Sequence, residues 1–269
     1  MLSQADDDFQ SVFFELAGDL RIYMLLKLSI KPYRLSQLAT DLNATMQESH
    51  RNINRLIDSK LVKKTGEGEL LLTPYGEIIV SLIPNFNFPF KHKDYFQEHT
   101  LSNLPLKFIQ RIGSLNNCEV VVGVMAVLQR WKAVYHNSQD YIKEVISQVP
   151  IDLIETIAER VNNNVKFCYI FPANVVIPKG RNELLKKLGW KNLVSKGIVE
   201  RRMMDKTNIV TIFNEKESCI SFPTLKGEPD LNIMFYSKDA AFHEWCKDFF
   251  DYEWARAKLF DESKLSPEI

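Results

Sequence analysis

Residues 45–74 read TMQESHRNINRLIDSKLVKKTGEGELLLTP. Thr45 and Glu48 form a capping box, in which the threonine hydroxyl accepts a hydrogen bond from the third backbone N–H and the glutamate reaches back to the cap. This pattern predicts a helix from Met46 to about Ser59. The apolar side chains expected on its inner side are Met46, Ile53, Leu56 and Ile57.

A β-hairpin is predicted directly after this helix. Residues 61–65 and 69–73 form two short strand-like runs. Gly66 and Gly68 lie between them and are expected to supply the positive φ that the turn requires.

The segments on either side of these elements are helical in pattern. Upstream, the apolar spacing of residues 9–28 predicts one amphipathic helix, and residues 35–42 predict a second, short one. Downstream, Thr73 caps a helix that begins at Pro74 and is expected to end at Pro84. The order of helix, short helix, capped helix, hairpin and helix is that of a winged helix-turn-helix, whose third helix enters the major groove of DNA.

Charge favours a nucleic-acid surface in this part of the chain. The 269 residues balance 34 Lys and Arg against 34 Asp and Glu, so no global basic field exists. Between Arg21 and Lys64, however, nine basic residues stand against three acidic ones. The candidate DNA-binding residues are Gln47, His50, Arg51, Asn54 and Arg55 on the outward side of the capped helix, and Lys63 and Lys64 at the base of the hairpin. Arg, Asn and Gln can read base edges, whereas the lysines suit phosphates.

A second interpretation of the same elements is open. A winged helix can serve only for dimerisation or protein docking, because a fold does not fix a function. Glu67 and Glu69 in the hairpin favour this interpretation, since a phosphate-contacting hairpin would prefer lysine or arginine.

The spacing of apolar residues along the sequence changes after Pro84. We therefore expect a winged helix-turn-helix DNA-binding domain over residues 1–84 and an α/β domain for effector sensing and dimerisation over residues 85–269. A strand, helix and strand, which suggest parallel pairing, are predicted at residues 141–146, 151–161 and 165–171. The predicted fold class is thus α+β or α/β, with a mixed sheet.

The last third of the chain completes this sheet. A helix over residues 181–188 is followed by four strand-like runs that fit a meander, and by a long last helix over residues 239–260. The four runs are residues 198–203, 209–213, 219–222 and 231–236.

A homodimer is expected from two apolar helices. Residues 9–28 carry more apolar surface than a small winged core can cover, and residues 239–260 add an aromatic stripe. That stripe includes Trp245, Phe249, Tyr252 and Trp254. Symmetric pairing through both helices would bury this surface.

Motifs of catalysis are sparse in the sequence. It contains no GxGxxG, GxxxxGK or GxSxG pattern. His243 and Cys246 have the spacing of two metal ligands but lack a third nearby. We therefore expect no enzymatic activity, no cofactor and no metal. The alternative function is a small-molecule methyltransferase that uses its winged helix only to dimerise. Such an enzyme needs a loop with several glycines for its cofactor, whereas residues 120–123 contain only one, Gly123.

Four side chains near predicted strand ends are candidates for an effector pocket. They are Phe171, Arg202, Phe213 and Phe235. Aromatic and arginine side chains bind ligands more often than they react, so a small-molecule effector is one expectation here, and core packing explains the three phenylalanines equally well.

Short motifs outside the winged helix are similar to those of a known family. They are YFQEHTLSNLP at residues 95–105, IQRI at 109–112, GW at 189–190 and FHEW at 242–245, with Tyr252 and Trp254 beyond. The chain resembles archaeal one-component transcription regulators of the methanogenesis-regulator-like group. Their effector domains resemble the phospholipase-D fold, whose enzymes use a His followed two residues on by Lys. None of the five histidines here has that lysine, so the resemblance implies a non-catalytic sensor.

Sequence features also predict the compartment. The segment MLSQADDDF at residues 1–9 has the wrong charge for a targeting peptide. The longest apolar run, residues 120–128, is far shorter than the roughly 18 residues that cross a bilayer. The four cysteines are dispersed and form no CxxC pattern. We expect a cytoplasmic protein with free thiols and no membrane contact.

Overall fold

The computed structural model describes residues 9–148, 151–173 and 175–268. The chain divides into two units, one up to Phe86 and one from Asn87 onward. The targeting prediction rests on residues that lie mostly outside the described part. No helix within the described ranges combines the length and the apolar character that crossing a membrane requires.

The first unit contains short helices and a small antiparallel sheet. Its elements are α1 (Phe9–Leu16), α2 (Asp19–Leu28), β1 (Tyr33–Arg34), α3 (Leu35–Asp41), α4 (Met46–Asp58), β2 (Val62–Lys64), β3 (Glu69–Leu72) and α5 (Pro74–Lys91). Strand β3 lies between β1 and β2 and pairs antiparallel with both. The predicted order of elements is confirmed, apart from the split of the first helix.

Apolar side chains from every part of this unit form one core. It includes Met24, Leu25, Leu38, Ile53, Leu56, Leu61 and Leu70. Gly76 fixes how α5 meets the hairpin, because a Cβ at this position would lie 2.0 Å from the Leu61 carbonyl oxygen. Thr73 caps α5 as predicted, its hydroxyl accepting a hydrogen bond from Gly76 N at 2.9 Å.

Several details of this unit differ from the sequence prediction. The first helix is broken at Gly18, over which the Arg21 guanidinium packs so closely that a Cβ would lie 2.3 Å from its Cζ. Met46 is 51% exposed rather than buried. Only Gly68, with φ of 86°, adopts the positive φ expected of both turn glycines. Helix α5 continues past Pro84, because a proline inside a helix removes one hydrogen bond without always ending it.

The second unit is built on one mixed sheet. In chain order, its first elements are α6 (Lys93–Glu98), α7 (Leu106–Ile109), β4 (Glu119–Val122), α8 (Val124–Asn137), β5 (Tyr141–Val145), α9 (Ile151–Asn162) and β6 (Lys166–Pro172). The later ones are β7 (Val176–Ile177), α10 (Arg181–Lys187), α11 (Trp190–Ser195), β8 (Val199–Met204), β9 (Val210–Asn214), β10 (Ser218–Ser221), β11 (Ile233–Ser237), α12 (Ala240–Arg256), β12 (Lys258–Leu259) and β13 (Ser266–Glu268).

The described strands of the main sheet number eight, in the order β12-β8-β6-β5-β9-β10-β11-β4. Strands β5, β6 and β8 are parallel, which confirms the predicted pairing across α9. Strands β9, β10 and β11 form the predicted antiparallel meander. Strand β8 was expected in that meander but lies next to β6 instead. The fold is therefore α+β, with a mixed sheet and a long last helix.

Both faces of this sheet are covered. On the face that we call the α8 face, Ile142, Tyr169, Ile212 and Met234 of the strands share a core with Trp131 of α8. On the opposite face, the α12 face, Ile170, Phe213 and Phe235 of the strands share a core with Trp245 and Phe249 of α12. Because neighbouring residues of a strand point to opposite faces, each central strand contributes apolar side chains to both cores.

The aromatic stripe of the last helix belongs to the α12 face. Trp245 is fully buried and donates from Nε1 to the Phe108 carbonyl oxygen at 3.1 Å, and Phe249 is also buried. The expectation that this stripe is surplus surface for dimerisation is therefore wrong. The helix also ends at Arg256, four residues before the predicted end.

Candidate nucleic-acid interface

The capping box at Thr45 determines where α4 begins. Thr45 Oγ1 accepts from Glu48 N at 3.2 Å, and Glu48 Oε2 accepts from Thr45 N at 3.2 Å and from Thr45 Oγ1 at 2.8 Å. These hydrogen bonds to Thr45 lower the pKa of the Glu48 carboxyl. Because the first residue of the helix is fixed, the side on which each later residue lies is fixed as well.

The inner side of α4 packs into the core of the first unit. Ser49, Ile53 and Leu56 are buried there. Ile57 is half-buried, whereas Met46 points outward. The inner side that the sequence predicts is thus correct for Ile53 and Leu56, with Ser49 occupying the first turn in place of Met46.

Four of the predicted DNA-binding residues lie together on the outer side of α4. Gln47, His50, Arg51 and Asn54 are all exposed. Asn54 Nδ2 lies 3.3 Å from His50 Nδ1, so these two side chains form one polar group one turn apart. We call Gln47, His50, Arg51 and Asn54 the α4 surface.

The two predicted phosphate-binding lysines are on β2, which contacts α4. Lys63 and Lys64 are exposed, while Val62 before them is buried. Strand β2 is held in register by β3, with Lys64 opposite Leu70. The structure therefore places two cations on a strand next to the helix that carries the α4 surface.

Arg55 is engaged differently from the α4 surface. Its Nη2 lies 2.7 Å and its Nε 3.2 Å from the two carboxylate oxygens of Glu15 on α1. The Glu15 hydrogen bonds raise the pKa of Arg55. Arg21 Nε lies 2.8 Å from the same carboxylate, and its Nη1 donates to Asn52 Oδ1 at 3.2 Å. Base reading by Arg55 stays a prediction, and it requires that the ion pair with Glu15 opens.

Sequence reasoning missed Glu15 as a member of this network. It is a buried carboxylate between two guanidinium groups, and it joins α1 to α4. The available signal is the acidic residue within the otherwise apolar sequence FQSVFFEL. A buried charge of this kind needs a partner, but the sequence does not say which arginines supply it.

The structure does not bring together the four side chains predicted for an effector pocket. Phe171 packs on the α8 face, whereas Phe213 and Phe235 pack on the α12 face. Arg202 donates from Nη1 to the Trp254 carbonyl oxygen at 2.5 Å, and its guanidinium lies 4.7 Å from that indole ring. The sheet separates these side chains, because strand alternation sends them to opposite sides.

His243 and Cys246, the two residues with the spacing of metal ligands, are engaged within the fold. His243 Nε2 lies 2.8 Å from the Asn214 carbonyl oxygen and 3.2 Å from the Tyr141 hydroxyl, and Cys246 is fully buried. Within the part of the chain that the structure describes, no three His, Cys, Asp or Glu side chains are placed to hold a metal ion. Gly123 lies between β4 and α8, and β4 is an edge strand antiparallel to β11.

The fold and this surface define an α+β protein of two units, of which the first presents polar and basic side chains on one helix and an adjacent strand. No protein-family model matches the sequence, and no curated protein matches it.

Among solved structures, the chain is similar to the archaeal chromatin protein TrmBL2, with a TM-score of 0.43 and 14% identity over 88% of this chain and 92% of that one. It is similar to Nuc from Salmonella typhimurium, a phospholipase D family member, with a TM-score of 0.39 and 9% identity over 54% and 99%. It is also similar to the dimethyltransferase RosA from Streptomyces davawensis, with a TM-score of 0.27 and 12% identity over 75% and 65%.

Proposed function

We propose that the protein is a DNA-binding transcription regulator whose first unit is a winged helix-turn-helix. The observation that supports this proposal is the α4 surface. Its four exposed polar side chains share one side of a capped helix, and two exposed lysines lie on the adjacent strand. A major groove admits an α-helix, and the 13 residues of α4 give it a length of about 20 Å.

Each residue type on this surface has a role in the proposed complex. Arg51 is suited to a bidentate contact with guanine, and Gln47 or Asn54 to a contact with adenine. His50 holds the Asn54 amide and orients it. Lys63 and Lys64 bind phosphates, which positions the protein without reading sequence.

Ion pairs within the first unit reduce the positive charge that its sequence presents to DNA. Arg21 and Arg55 are both paired with Glu15, so they contribute less to an external field than an unpaired cation would. Exposed cations remain at Arg51, Lys63 and Lys64. Lys31, Arg34 and Lys60 are also exposed in this unit, but Arg51, Lys63 and Lys64 are the exposed cations on α4 and the adjacent strand, where they would attract DNA.

Fluorescence anisotropy of the full chain with duplex DNA from upstream of its own gene tests this proposal. Arg51→Ala is expected to cost about 1 to 3 kcal/mol of binding and to relax the preference at one base pair. Lys64→Ala is expected to weaken binding to every sequence and to reduce the salt slope by roughly one. Lys196→Ala, an exposed lysine of the second unit, is the matched control and should bind as the unmodified protein does.

Unchanged binding by Arg51→Ala and Lys64→Ala across a salt series would contradict the proposal. The first unit would then serve for dimerisation or docking, the second interpretation that its sequence allows. A loss of binding in Lys196→Ala equal to that in Lys64→Ala would place the DNA contact elsewhere.

The regulator is further proposed to act as a homodimer. After the correction at α12, the support for this is the exposed apolar surface of the first two helices, where Phe14 is 63% and Tyr23 59% exposed. Sedimentation at micromolar concentration should give a dimer, and Tyr23→Asp should shift it toward monomer. A monomer of the unmodified protein would contradict this part of the proposal.

The second unit is proposed to sense a small molecule and to catalyse nothing. Its candidate His and Cys side chains are engaged in packing and hydrogen bonds to the main chain, a setting that leaves them poorly placed to react. Pure protein should neither hydrolyse bis(4-nitrophenyl) phosphate nor bind S-adenosylmethionine. Turnover that a single side-chain change abolishes, or micromolar binding of S-adenosylmethionine, would restore an enzymatic function.

A further inference from the structure

A cavity of about 720 Å³ lies in the second unit, on the α8 side of the sheet. Helices α10 and α11, strands β7 and β8 and the segment from Glu262 to Ser266 enclose it. Pockets for small ligands range from roughly 300 to 1,000 Å³, so this one has the size for such a molecule. Of the four side chains predicted for an effector pocket, none lines this cavity, but Phe171 lines a small recess beside it.

A small recess of about 30 Å³ adjoins this cavity and shares Arg181, Leu185 and Trp190 with it. Tyr135 and Glu144 line the recess, and the Tyr135 hydroxyl donates to Glu144 Oε2 at 2.6 Å. Burial raises the pKa of the Glu144 carboxyl to about 7. The recess is thus a polar space inside an otherwise apolar core, large enough for a water molecule or one group of a ligand.

Two buried polar groups at the recess form no hydrogen bond of normal geometry within the described ranges. Trp190 Nε1 and the Tyr169 hydroxyl are buried and make no hydrogen bond of normal geometry to any group in the described ranges, although Trp190 and Arg201 lie near that hydroxyl. A buried donor without an acceptor costs about 1 to 3 kcal/mol in general. An acceptor supplied from the cavity would remove that penalty.

The cavity wall is basic on one part and apolar on another. Arg181, Lys186, Lys191 and Arg201 are its basic side chains, and Glu262, which pairs with Arg201 at 2.7 Å, is its one acidic side chain among the described residues. The apolar side chains include Ile177, Leu185, Val194 and Leu265. Arg181 is buried, so its charge acts in a medium of low polarity.

We propose that this cavity binds a small organic anion, with the anionic group between Arg181 and Trp190 Nε1 and the apolar body against Leu185 and Val194. The excess of basic side chains on the wall favours negative charge in the ligand, and the buried indole N–H can donate a hydrogen bond to it. The proposal rests on the sensing role of the second unit and names the site and the ligand class. It does not depend on DNA binding by the first unit.

Binding of 8-anilinonaphthalene-1-sulfonate, an anion on an aromatic body, tests the site in the full chain without DNA. Its uncharged counterpart N-phenyl-1-naphthylamine measures the contribution of the charge. We expect the sulfonate to bind at least tenfold more tightly than the amine. Lys191→Glu should weaken the sulfonate about tenfold, and Lys196→Glu, a charge reversal outside the cavity, should leave it unchanged.

Trp190→Phe provides a second variant, because it keeps an aromatic ring and removes the N–H donor. We expect it to weaken the sulfonate by about threefold to tenfold, with little change for the amine. Equal affinity for the two probes, absence of sulfonate binding, or equal binding by Lys191→Glu and Lys196→Glu would overturn the proposal. DNA affinity measured on the same variants separates a failure of this site from a failure of the proposed function.

Discussion

The outer side of α4 and the two faces of the large sheet show opposite relations between residue type and accessibility. On α4, four of the five candidate DNA-binding side chains that the helical period places outward are exposed, and the fifth, Arg55, is half-buried against Glu15. In the sheet, the aromatic side chains proposed for binding, Phe213 and Phe235, are fully buried. A helix on the surface of a small core has one covered side, so its period identifies the exposed one. A sheet covered on both faces has no exposed side, so the alternation of side chains along a strand cannot distinguish residues that line a pocket from residues that pack in a core.

Strand β9 illustrates the second case. All five of its residues are buried, with Ile212 on the α8 face and Phe213 on the α12 face. Continuous burial of this kind is characteristic of central strands in covered sheets. Aromatic residues in such a strand therefore indicate packing before they indicate a ligand.

The largest expected effect comes from the core of the α12 face. Trp245→Ala should lower the free energy of unfolding by about 3 to 5 kcal/mol, because Trp245 is fully buried against Phe108, Phe222 and Phe249. Urea unfolding measures this loss, and Trp254→Ala, which removes a half-buried indole, should cost less. If Trp245→Ala instead left stability intact and abolished a dimer, the last helix would be an interface after all.

A pH-dependent effect is expected from Glu144. Its pKa of about 7 in the folded protein lies above the ordinary value of 4.5, so the folded state holds the proton more tightly. Stability is therefore lost as the pH rises from about 4.5 to 7, by about 3 kcal/mol in total. Glu144→Gln keeps an oxygen that accepts from Tyr135 but does not ionise.

Urea unfolding of both proteins at about pH 5 and pH 8 isolates this group. The unmodified protein should lose about 2 to 3 kcal/mol more between the two pH values than Glu144→Gln does. An identical loss in the two proteins would show that the Glu144 carboxyl titrates as an exposed one.

A smaller effect is expected where α1 joins α4. Glu15→Gln removes the carboxylate that holds Arg21 and Arg55 and should destabilise the protein by about 2 kcal/mol. Glu67→Gln changes an exposed glutamate of the hairpin and should have little effect on unfolding. Equal unfolding midpoints for the two variants would mean that the network contributes nothing to stability.

The same variant sharpens the assignment of Arg55. Freed from Glu15, Arg55 can contribute its charge to the outer side of α4, so Glu15→Gln should bind duplex DNA more tightly than Glu67→Gln does. Unaltered DNA affinity in Glu15→Gln would leave Arg55 with a structural role alone.

Local signals in the sequence determine most of the first unit. The capping box at Thr45 sets the phase of α4, and the cap at Thr73 sets the start of α5, so both helices begin where predicted. The break at Gly18 escapes prediction because it depends on the Arg21 guanidinium packing over that glycine. Contacts between residues distant in sequence, such as Arg55 with Glu15, leave no periodic trace.

The sequence predicts most of the strands of the second unit, but it does not predict the cavity proposed as its ligand site. The parallel pairing of β5 and β6 follows from their spacing around α9. The cavity beside Trp190 is formed by α10, α11, β8 and the chain's last described segment, which only the tertiary fold brings together. Its basic residues lie between positions 181 and 201 but on three different elements, α10, α11 and β8, so no single periodicity indicates that they share a wall.

The salt dependence of DNA binding by the unmodified full chain tests the central claim most directly. A duplex from upstream of the gene is compared with a shuffled duplex of equal length and composition. We predict that log K falls with log salt with a slope of about −2 or steeper, because each bound phosphate contributes about −0.9 and Lys63 and Lys64 bind at least two. The upstream duplex should bind at least tenfold more tightly than the shuffled one. Absence of binding at about 50 mM salt, or equal affinity for both duplexes with a slope near zero, would contradict the account.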